Sequence, residues 1–389
     1  MFVLFVRSAE IATDSRLSKY CSALAELSIK YRIAYWQRST FDTNCDKKNF
    51  VFNRSARYGA RYGNIFNLIL WAFFVSATIF RQRKNIRYVH SVDLDSGLVS
   101  LLWCKLCSIP FVYDIYDCYS DSRGLTGSTK KFIDLLERLV ISNSDLSILA
   151  DASRYNQLGI TDKNPNIMVI ENVPPDQAVE TSSALDSDGN EKFRLCYFGN
   201  LEAEYRGLED VLQFCIKNSF IELHVAGIGA LSSLFQKSAN EYQNVHFYGP
   251  MKHMDGLALM KSCDAIIGLY YLAVENHRFA APNKYYEHLL VGKPIITSKG
   301  TPPGKKVDDL NTGISVSDGI NCISEAVHWM DGNRNEAAAL GINARKVWEM
   351  KYSSYFDDII VGKVPEPSSV ALLGLGLLGA GMSRRNKKA

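Results

Sequence analysis

Pro282-Asn283-Lys284-Tyr285-Tyr286-Glu287-His288-Leu289-Leu290-Val291-Gly292-Lys293-Pro294-Ile295-Ile296 spells a loop, a short helix with one carboxylate, a glycine stop and a buried strand. Pro282 opens the helix, where its missing N–H costs nothing. Gly292 closes it, and Pro294 follows as a breaker. A helix N-terminus attracts anions, because its free N–H groups and dipole favour phosphate. Glu287 lies about one turn inside, where a carboxylate can accept hydrogen bonds from a sugar diol.

Working outward, 389 residues exceed one typical core and fit two domains of ordinary size. Apolar residues at 47% and charged ones at 22% are globular values, and a net charge of +3 gives no case for nucleic acid as a partner. The nine cysteines are odd in number and scattered, which suits a reducing compartment better than a disulfide framework. Cys104 and Cys107, the one close pair, fall in an apolar run without a nearby histidine and read as helix packing. Phe2-Val3-Leu4-Phe5-Val6 is five apolar residues with no basic segment before it. That is too short for a signal peptide and reads as a first buried parallel strand.

The first half alternates strand and helix patterns, the mark of a doubly wound sheet. Strands are expected at Phe2–Val6, Arg32–Trp36, 87–90, 110–114 and 144–150, with a helix at Leu17–Ile29. Met168 to Pro175 reads as a last strand ending in a hinge, and Gln177 to Glu191 as linker. The rhythm then restarts, with strands at Phe193–Phe198, Ile221–Ala226, Val245–Tyr248, Asp264–Leu269 and Pro294–Thr297. Helices at Gly207–Lys217, Leu231–Asn240 and Met254–Ser262 separate them. In open α/β sheets, ligands bind at the carboxyl-end loops.

Ile65 to Phe80 is sixteen mostly apolar residues flanked by Arg57, Arg61, Arg81, Arg83 and Lys84. A membrane span needs about 20 residues. The segment reads either as a helix packed on the sheet or as one lying in a membrane interface. One helix with one face inward satisfies both.

In the second half four elements follow in fixed order before the Glu287 helix. They are Phe198-Gly199-Asn200-Leu201, Tyr205-Arg206-Gly207-Leu208-Glu209-Asp210, His224-Val225-Ala226-Gly227-Ile228-Gly229 and Phe247-Tyr248-Gly249-Pro250. Over roughly residues 193–300 this order resembles the donor domain of GT-B glycosyltransferases of family 4. The resemblance implies an α/β fold of two Rossmann-like domains facing across a cleft. Residues 1–172 would form the acceptor domain, 173–192 the hinge and linker, and 193–362 the nucleotide-sugar domain. It also implies that Arg206 grips the diphosphate, Glu287 holds the ribose, and Lys284 lies near the phosphates or donor sugar. Gly199, Gly207, Gly227, Gly229 and Asn283 would complete the donor loop.

The chain departs from that family's commonest form in lacking the first of two glutamates separated by seven residues; Phe279 stands there, with Glu275, Asn276 and Arg278 nearby. The first half resembles the family through Asp14-Ser15-Arg16, His90-Ser91-Val92-Asp93-Leu94-Asp95 and Tyr113-Asp114-Ile115-Tyr116-Asp117, with Tyr116 where a histidine is usual. Asp93, Asp114 and Asp117, with Asp95, are then the candidates to orient or deprotonate an acceptor hydroxyl. No cofactor is implied beyond the nucleoside-diphosphate sugar itself. No metal is implied either, since backbone amides, arginine and lysine bind the diphosphate in that family.

The last residues, 363–389, run Val364-Pro365-Glu366-Pro367-Ser368-Ser369, an apolar segment Val370 to Met382, then Arg384-Arg385-Asn386-Lys387-Lys388. This order resembles the PEP-CTERM sorting signal, on which exosortases act in bacteria that make exopolysaccharide. The thirteen apolar residues span about 20 Å as a helix, short of a bilayer core of roughly 30 Å. The expectation is a sugar transferase at the cytoplasmic face of the inner membrane, peripheral or held by this tail. Its acceptor would be a lipid-linked saccharide or polysaccharide in exopolysaccharide assembly, and transfer would retain configuration. The rival readings are an exported, non-catalytic surface protein sorted by an exosortase, and a nucleotide-sugar epimerase on the same fold.

Overall fold

The structure is a computed structural model that describes residues 1–12, 14–38, 48–56, 65–161, 164–182 and 192–361. Arg57, Arg61, most of the expected linker and the sorting-signal tail with its hydrophobic segment lie outside the described residues. The chain divides into two compact units, Met1–Glu171 with residues 357–361, and Asn172–Phe356. Asn172 to Ser182 do not form a free linker. Val173 and Val179 are buried in the second unit's core, Ser182 N–H donates to Ser262 Oγ at 2.7 Å, and Trp348 Nε1 donates to Asp176 Oδ1 at 2.8 Å.

The first unit is built on strands β1 (Phe2–Arg7), β2 (Tyr31–Gln37), β3 (Phe50–Asn53), β4 (Ile86–Val92), β5 (Phe111–Ile115), β6 (Leu146–Leu149) and β7 (Ile167–Val169). They form a parallel sheet in the order β3-β2-β1-β4-β5-β6-β7. The central strands are apolar on both sides because helices cover both faces, so β1 is a continuous buried run rather than an alternating one. One core joins Leu4 and Val6 to Trp71, Val75 and Ile79 of helix Ile65–Gln82, to Leu101 and Cys104 of helix Leu94–Cys107, and to Val140 of helix Gly127–Asn143. Cys104 is thus core packing.

The second unit repeats the plan with β8 (Phe193–Asn200), β9 (Ile221–Ile228), β10 (Val245–Phe247), β11 (Ala265–Gly268), β12 (Ile295–Ser298) and β13 (Gly313–Val316). Its parallel order is β10-β9-β8-β11-β12-β13. Both sheets reverse winding direction beside their first strand, between β1 and β4 and between β8 and β11. At such a switch point the adjoining loops part and leave a crevice at the carboxyl ends.

The expected elements form with shifted ends, and four differences are larger. β4 runs through Val92, so Ser91 and Val92 are strand, not loop. Helix Leu94–Cys107 starts at once, with Asp93 as its N-cap. β3 was not anticipated, because four residues that pair on one side alone carry little pattern. After β12 the fold continues through helix Pro302–Leu310, β13, and helices Ile320–Gly332 and Arg334–Lys351. β13 is only Gly-Ile-Ser-Val, and its partner β12 rather than its own composition selects it.

Candidate functional site

In the second unit Pro282 is the N-cap of helix Asn283–Val291 and offers no side-chain cap to the first turn. Gly292 ends it in the left-handed region at φ 68°, and Lys293 N–H bonds back to His288 O at 3.1 Å. This helix aims its N-terminus at the end of β8. The Lys284 ammonium donates to the Phe198 carbonyl and lies 4.0 Å from the centre of the Tyr197 ring. One turn on, Glu287 is buried and its Oε1 lies 3.1 Å from His253 Nε2, at the start of helix His253–Ser262.

The loop after β8 brings a second cation. Arg206 Nε donates to Glu202 Oε2 at 2.7 Å, and its guanidinium lies 4.4 Å from the centre of the Tyr270 ring. Burial opposes its charge, but Tyr270 and Glu202 more than offset this and hold it protonated. Burial raises the Tyr270 hydroxyl, with Arg206 and Lys284 only partly offsetting it, and raises the Tyr197 hydroxyl to about 12, so neither ring ionises near neutral pH. Glu204 and Tyr205 take the left-handed conformation in succession, at φ 61° and 54°, before Gly207 at 63°. Each costs about 1–2 kcal/mol for an L-residue, and such strain concentrates where a loop is shaped for a ligand.

The glycines make the close approaches possible. Gly199 and Gly227 face each other across β8 and β9, and a Cβ on Gly227 would fall 1.8 Å from the Gly199 carbonyl oxygen. A Cβ on Gly199 would fall 2.7 Å from the Lys284 ammonium. Gly229 leaves room for the Leu201 carbonyl, and Gly207 for Leu269 and Tyr271. The second unit therefore holds two fixed cations, a buried carboxylate and a helix N-terminus at its β8–β11 switch point.

The first unit gathers a separate polar cluster at the β1–β4 switch point. Arg7 donates to Asp14 at 2.9 Å and to Asp93 at 2.5 Å. Arg16 grips Asp114 through two nitrogens at 3.2 and 3.1 Å, and His90 Nε2 lies 3.3 Å from the same carboxylate. Tyr116 packs against both guanidinium groups, and its hydroxyl donates to Asp14 at 3.3 Å. Burial works to raise the Asp114 carboxyl, but Arg16 and His90 win and hold it below the usual range. Asp93 differs. Burial pushes its carboxyl up to about 6, Arg7 only partly offsetting this, and its backbone is strained at φ 58°. Asp117 is half exposed, its Oδ1 accepting from Arg154 at 2.9 Å.

Glu137, on helix Gly127–Asn143, is buried beneath this cluster, accepting from Tyr113 Oη at 3.0 Å and Tyr119 N at 3.2 Å. Burial raises its carboxyl to about 7, against those two hydrogen bonds. The folded state therefore binds the proton more tightly than the unfolded one. Stability is highest below the unfolded pKa of about 4.3 and falls as pH rises toward 7. Glu137→Gln should flatten that decline by about 3 kcal/mol between pH 4.5 and 8. Urea unfolding across this range reads it, and an unchanged slope would remove Glu137 from the account.

Residues 363–385 match the PEP-CTERM protein-sorting motif. No curated protein matches the chain by sequence. By structure the chain is similar to HepE from Anabaena in complex with UDP-glucose, at 14% identity and a TM-score of 0.68, over 94% of this chain and 99% of that one. Sucrose-phosphate synthase from Thermosynechococcus elongatus is similar at 12% identity and a TM-score of 0.71, over 98% and 100%. So is WaaG, a glycosyltransferase involved in lipopolysaccharide biosynthesis, at 13% identity and a TM-score of 0.65, over 94% and 100%. The chain has the GT-B fold.

In this GT-B chain the expected donor residues Gly199, Arg206, Gly207, Gly227, Gly229, Asn283, Lys284 and Glu287 all belong to β8, β9, the loops after them, or the Pro282 helix. Asp93 and Asp114 lie in the first unit's cluster, and Asp117 at its edge. Asp114 is occupied in holding Arg16 and His90, so it acts as an anchor for the cluster. Glu275 does not replace the missing first glutamate, because it pairs with Arg278 at 3.2 Å on the surface. His253, Glu202, Tyr197 and Tyr270 were not singled out from the sequence. Glu202 and Arg206 stand four apart, which is a legible signal. His253 reaches Glu287 from 34 positions away and leaves none.

Proposed function

We propose that this chain transfers a sugar from a nucleoside-diphosphate donor to a hydroxyl acceptor. The observation that carries it is the pair of cations, Arg206 and Lys284, fixed beside the N-terminus of the Pro282 helix with Glu287 one turn on. Two diphosphate charges need such a site, and a ribose diol suits the buried carboxylate. In the transfer the acceptor oxygen bonds to the anomeric carbon and the bond to the diphosphate oxygen breaks. The electron pair leaves with the diphosphate, where Arg206 and Lys284 neutralise it. Asp93, with its carboxyl near 6, is the first-unit group best suited to receive the acceptor proton. HepE, solved with UDP-glucose, makes uridine the nucleoside to try first.

A thermal-shift panel of UDP-, GDP-, dTDP- and ADP-sugars on the full-length protein tests this. Ligand at a hundred times its dissociation constant should add about 2.7 kcal/mol. Arg206→Ala and Glu287→Ala should each abolish the gain. A folded protein that responds to none of the four removes the donor site.

The acceptor is proposed to be lipid-linked, with the protein at the inner membrane. In support, three adjoining helices of the first unit expose apolar side chains: Phe66, Ile69 and Phe73; Leu102 and Leu106; Phe132 and Leu135. These are 50–69% exposed, whereas scattered single exposures are the norm. Arg81, Lys105 and Lys131 on the same helices are exposed too, as on an interfacial surface facing anionic lipid. Among the described residues no helix is long and apolar enough to cross a membrane. Phe73→Glu with Leu102→Glu should release the protein from phosphatidylglycerol vesicles while leaving the nucleotide response intact. Undiminished vesicle binding by that variant rejects the surface.

The sorting motif favours a second reading, an exported protein delivered to an exosortase. Protease added outside spheroplasts separates the two: cleavage within residues 1–360 supports export, and protection supports the cytoplasmic enzyme.

A further inference from the structure

Strands β9 and β10 carry a polar line that the donor site does not use. Ile221, Leu223 and Val225 of β9 and Val245 and Phe247 of β10 pack on one side of the sheet, so Glu222, His224 and His246 face the other. His224 and His246 are partners in the parallel register, and their rings stack at 4.6 Å and 12°. Glu222 is buried, His224 is 1% exposed, and His246 is half-buried on the edge strand. One carboxylate oxygen and one nitrogen from each ring lie within 4.8 Å of one another.

The hydrogen bonding is incomplete in a specific way. His224 Nδ1 lies 3.0 Å from Tyr248 Oη. The Nε2 atoms of His224 and His246 are buried with no hydrogen-bond partner. His224 Nε2 is 3.6 Å from Glu222 Oε2, too far for a hydrogen bond. A buried polar nitrogen without a partner costs about 1–3 kcal/mol, and here two stand together beside a carboxylate.

We propose that Glu222, His224 and His246 bind a divalent transition metal of the zinc class. Two imidazoles and a carboxylate are a borderline donor set that suits Zn2+ and its neighbours rather than Mg2+ or Ca2+. Tyr248 Oη, 3.0 Å from the far nitrogen of His224, can accept that ring's N–H, as supporting groups of metal-bound histidines do. Donors around an ion at about 2.1 Å sit roughly 3.4 Å apart, so His246 on the edge strand must swing inward. Arg194 and Lys192 contact Glu222 at 3.4 and 3.7 Å, and the metal competes with them for its oxygens. The site lies halfway along β9, away from the carboxyl end where Gly227 and Gly229 stand. Its role is therefore to pin the edge strand, not to assist sugar transfer.

The test uses untagged full-length protein stripped with chelator, loaded with Co2+ or Zn2+ and desalted. Retained metal is measured by mass spectrometry, and the Co2+ visible spectrum reports geometry. The expected result is a single retained equivalent, a tetrahedral Co2+ band and a higher melting temperature. His246→Ala, on the sheet edge where folding is least at risk, and Glu222→Gln should each lose affinity by more than the roughly 10–100-fold typical of supporting-group removal. Circular dichroism confirms that each variant folds. Wild-type protein that retains no metal, or folded variants that retain it equally, overturns the proposal.

Discussion

Asp114→Ala should destabilise the protein by about 3–5 kcal/mol, the range for removing one partner of a buried ion pair. Asp114 is fully buried and takes two bonds from Arg16 and one contact from His90. Its loss leaves the Arg16 guanidinium, itself 6% exposed, with the Ile170 carbonyl at 2.7 Å as a neutral partner. A methyl group cannot balance that charge, and water has little access. Because its folded pKa is depressed, Asp114 contributes above the unfolded value of about 3.9, and the contribution fades as pH falls below it. The gap between wild type and variant should therefore narrow in acid. Asp93→Asn should behave oppositely. A carboxyl already raised to about 6 loses little stability as an amide, but it can no longer take a proton. Urea unfolding at pH 7 and pH 4 reads the first variant, and turnover against stability reads the second. An Asp114→Ala protein within 1 kcal/mol of wild type contradicts the anchoring role.

The contrast between these two aspartates marks what the sequence could show. The β/α rhythm was legible because β1 and β11 are continuous apolar runs, while β8 and β9 keep an apolar residue at every other position. The loops of the proposed donor site were legible because Pro, Gly and charged residues there do local work: Pro282 caps a helix, Gly292 ends it and Gly207 turns left-handed. Asp93 and Asp114 look alike in one dimension. Only the fold places Arg16 against one, 98 positions away, and Arg7 against the other, 86 away. The His253–Glu287 contact and the Glu222–His224–His246 cluster were hidden for the same reason. His253 and Glu287 come from different helices, and His246 joins the Glu222-x-His224 pair from another strand, so no spacing rule unites either set. β3 and β13 were missed because each is four residues whose strand state comes from its neighbour.

Gly227→Ala is the substitution in the proposed donor loop with the largest expected effect. Gly227 sits at φ +144°, which L-residues rarely adopt, and the new Cβ would fall 1.8 Å from the Gly199 carbonyl oxygen. That neighbour is backbone and cannot rotate aside. Strain of 1–3 kcal/mol and overpacking of 1–3 kcal/mol give a loss of about 4 kcal/mol. The alternative is that the ends of β8 and β9 separate. Gly227 N–H donates to Gly249 O at 2.8 Å, which resists movement of β9, so β8 yields and carries Gly199 with it. Gly199 borders the Lys284 ammonium, and Lys284 donates to the adjacent Phe198 carbonyl. Displacing that strand end moves one of the two cations, so nucleotide response should fall even in molecules that fold. Gly249→Ala is the control. It too has positive φ, at +68°, but nothing lies within 4 Å of its Cβ, so only the left-handed cost of about 1–2 kcal/mol applies. If the two variants are equally stable and respond equally to the nucleotide sugar, the close approach of β8 and β9 does not shape the donor loop. If Gly227→Ala alone loses both, the two-strand glycine contact is what leaves room for the diphosphate.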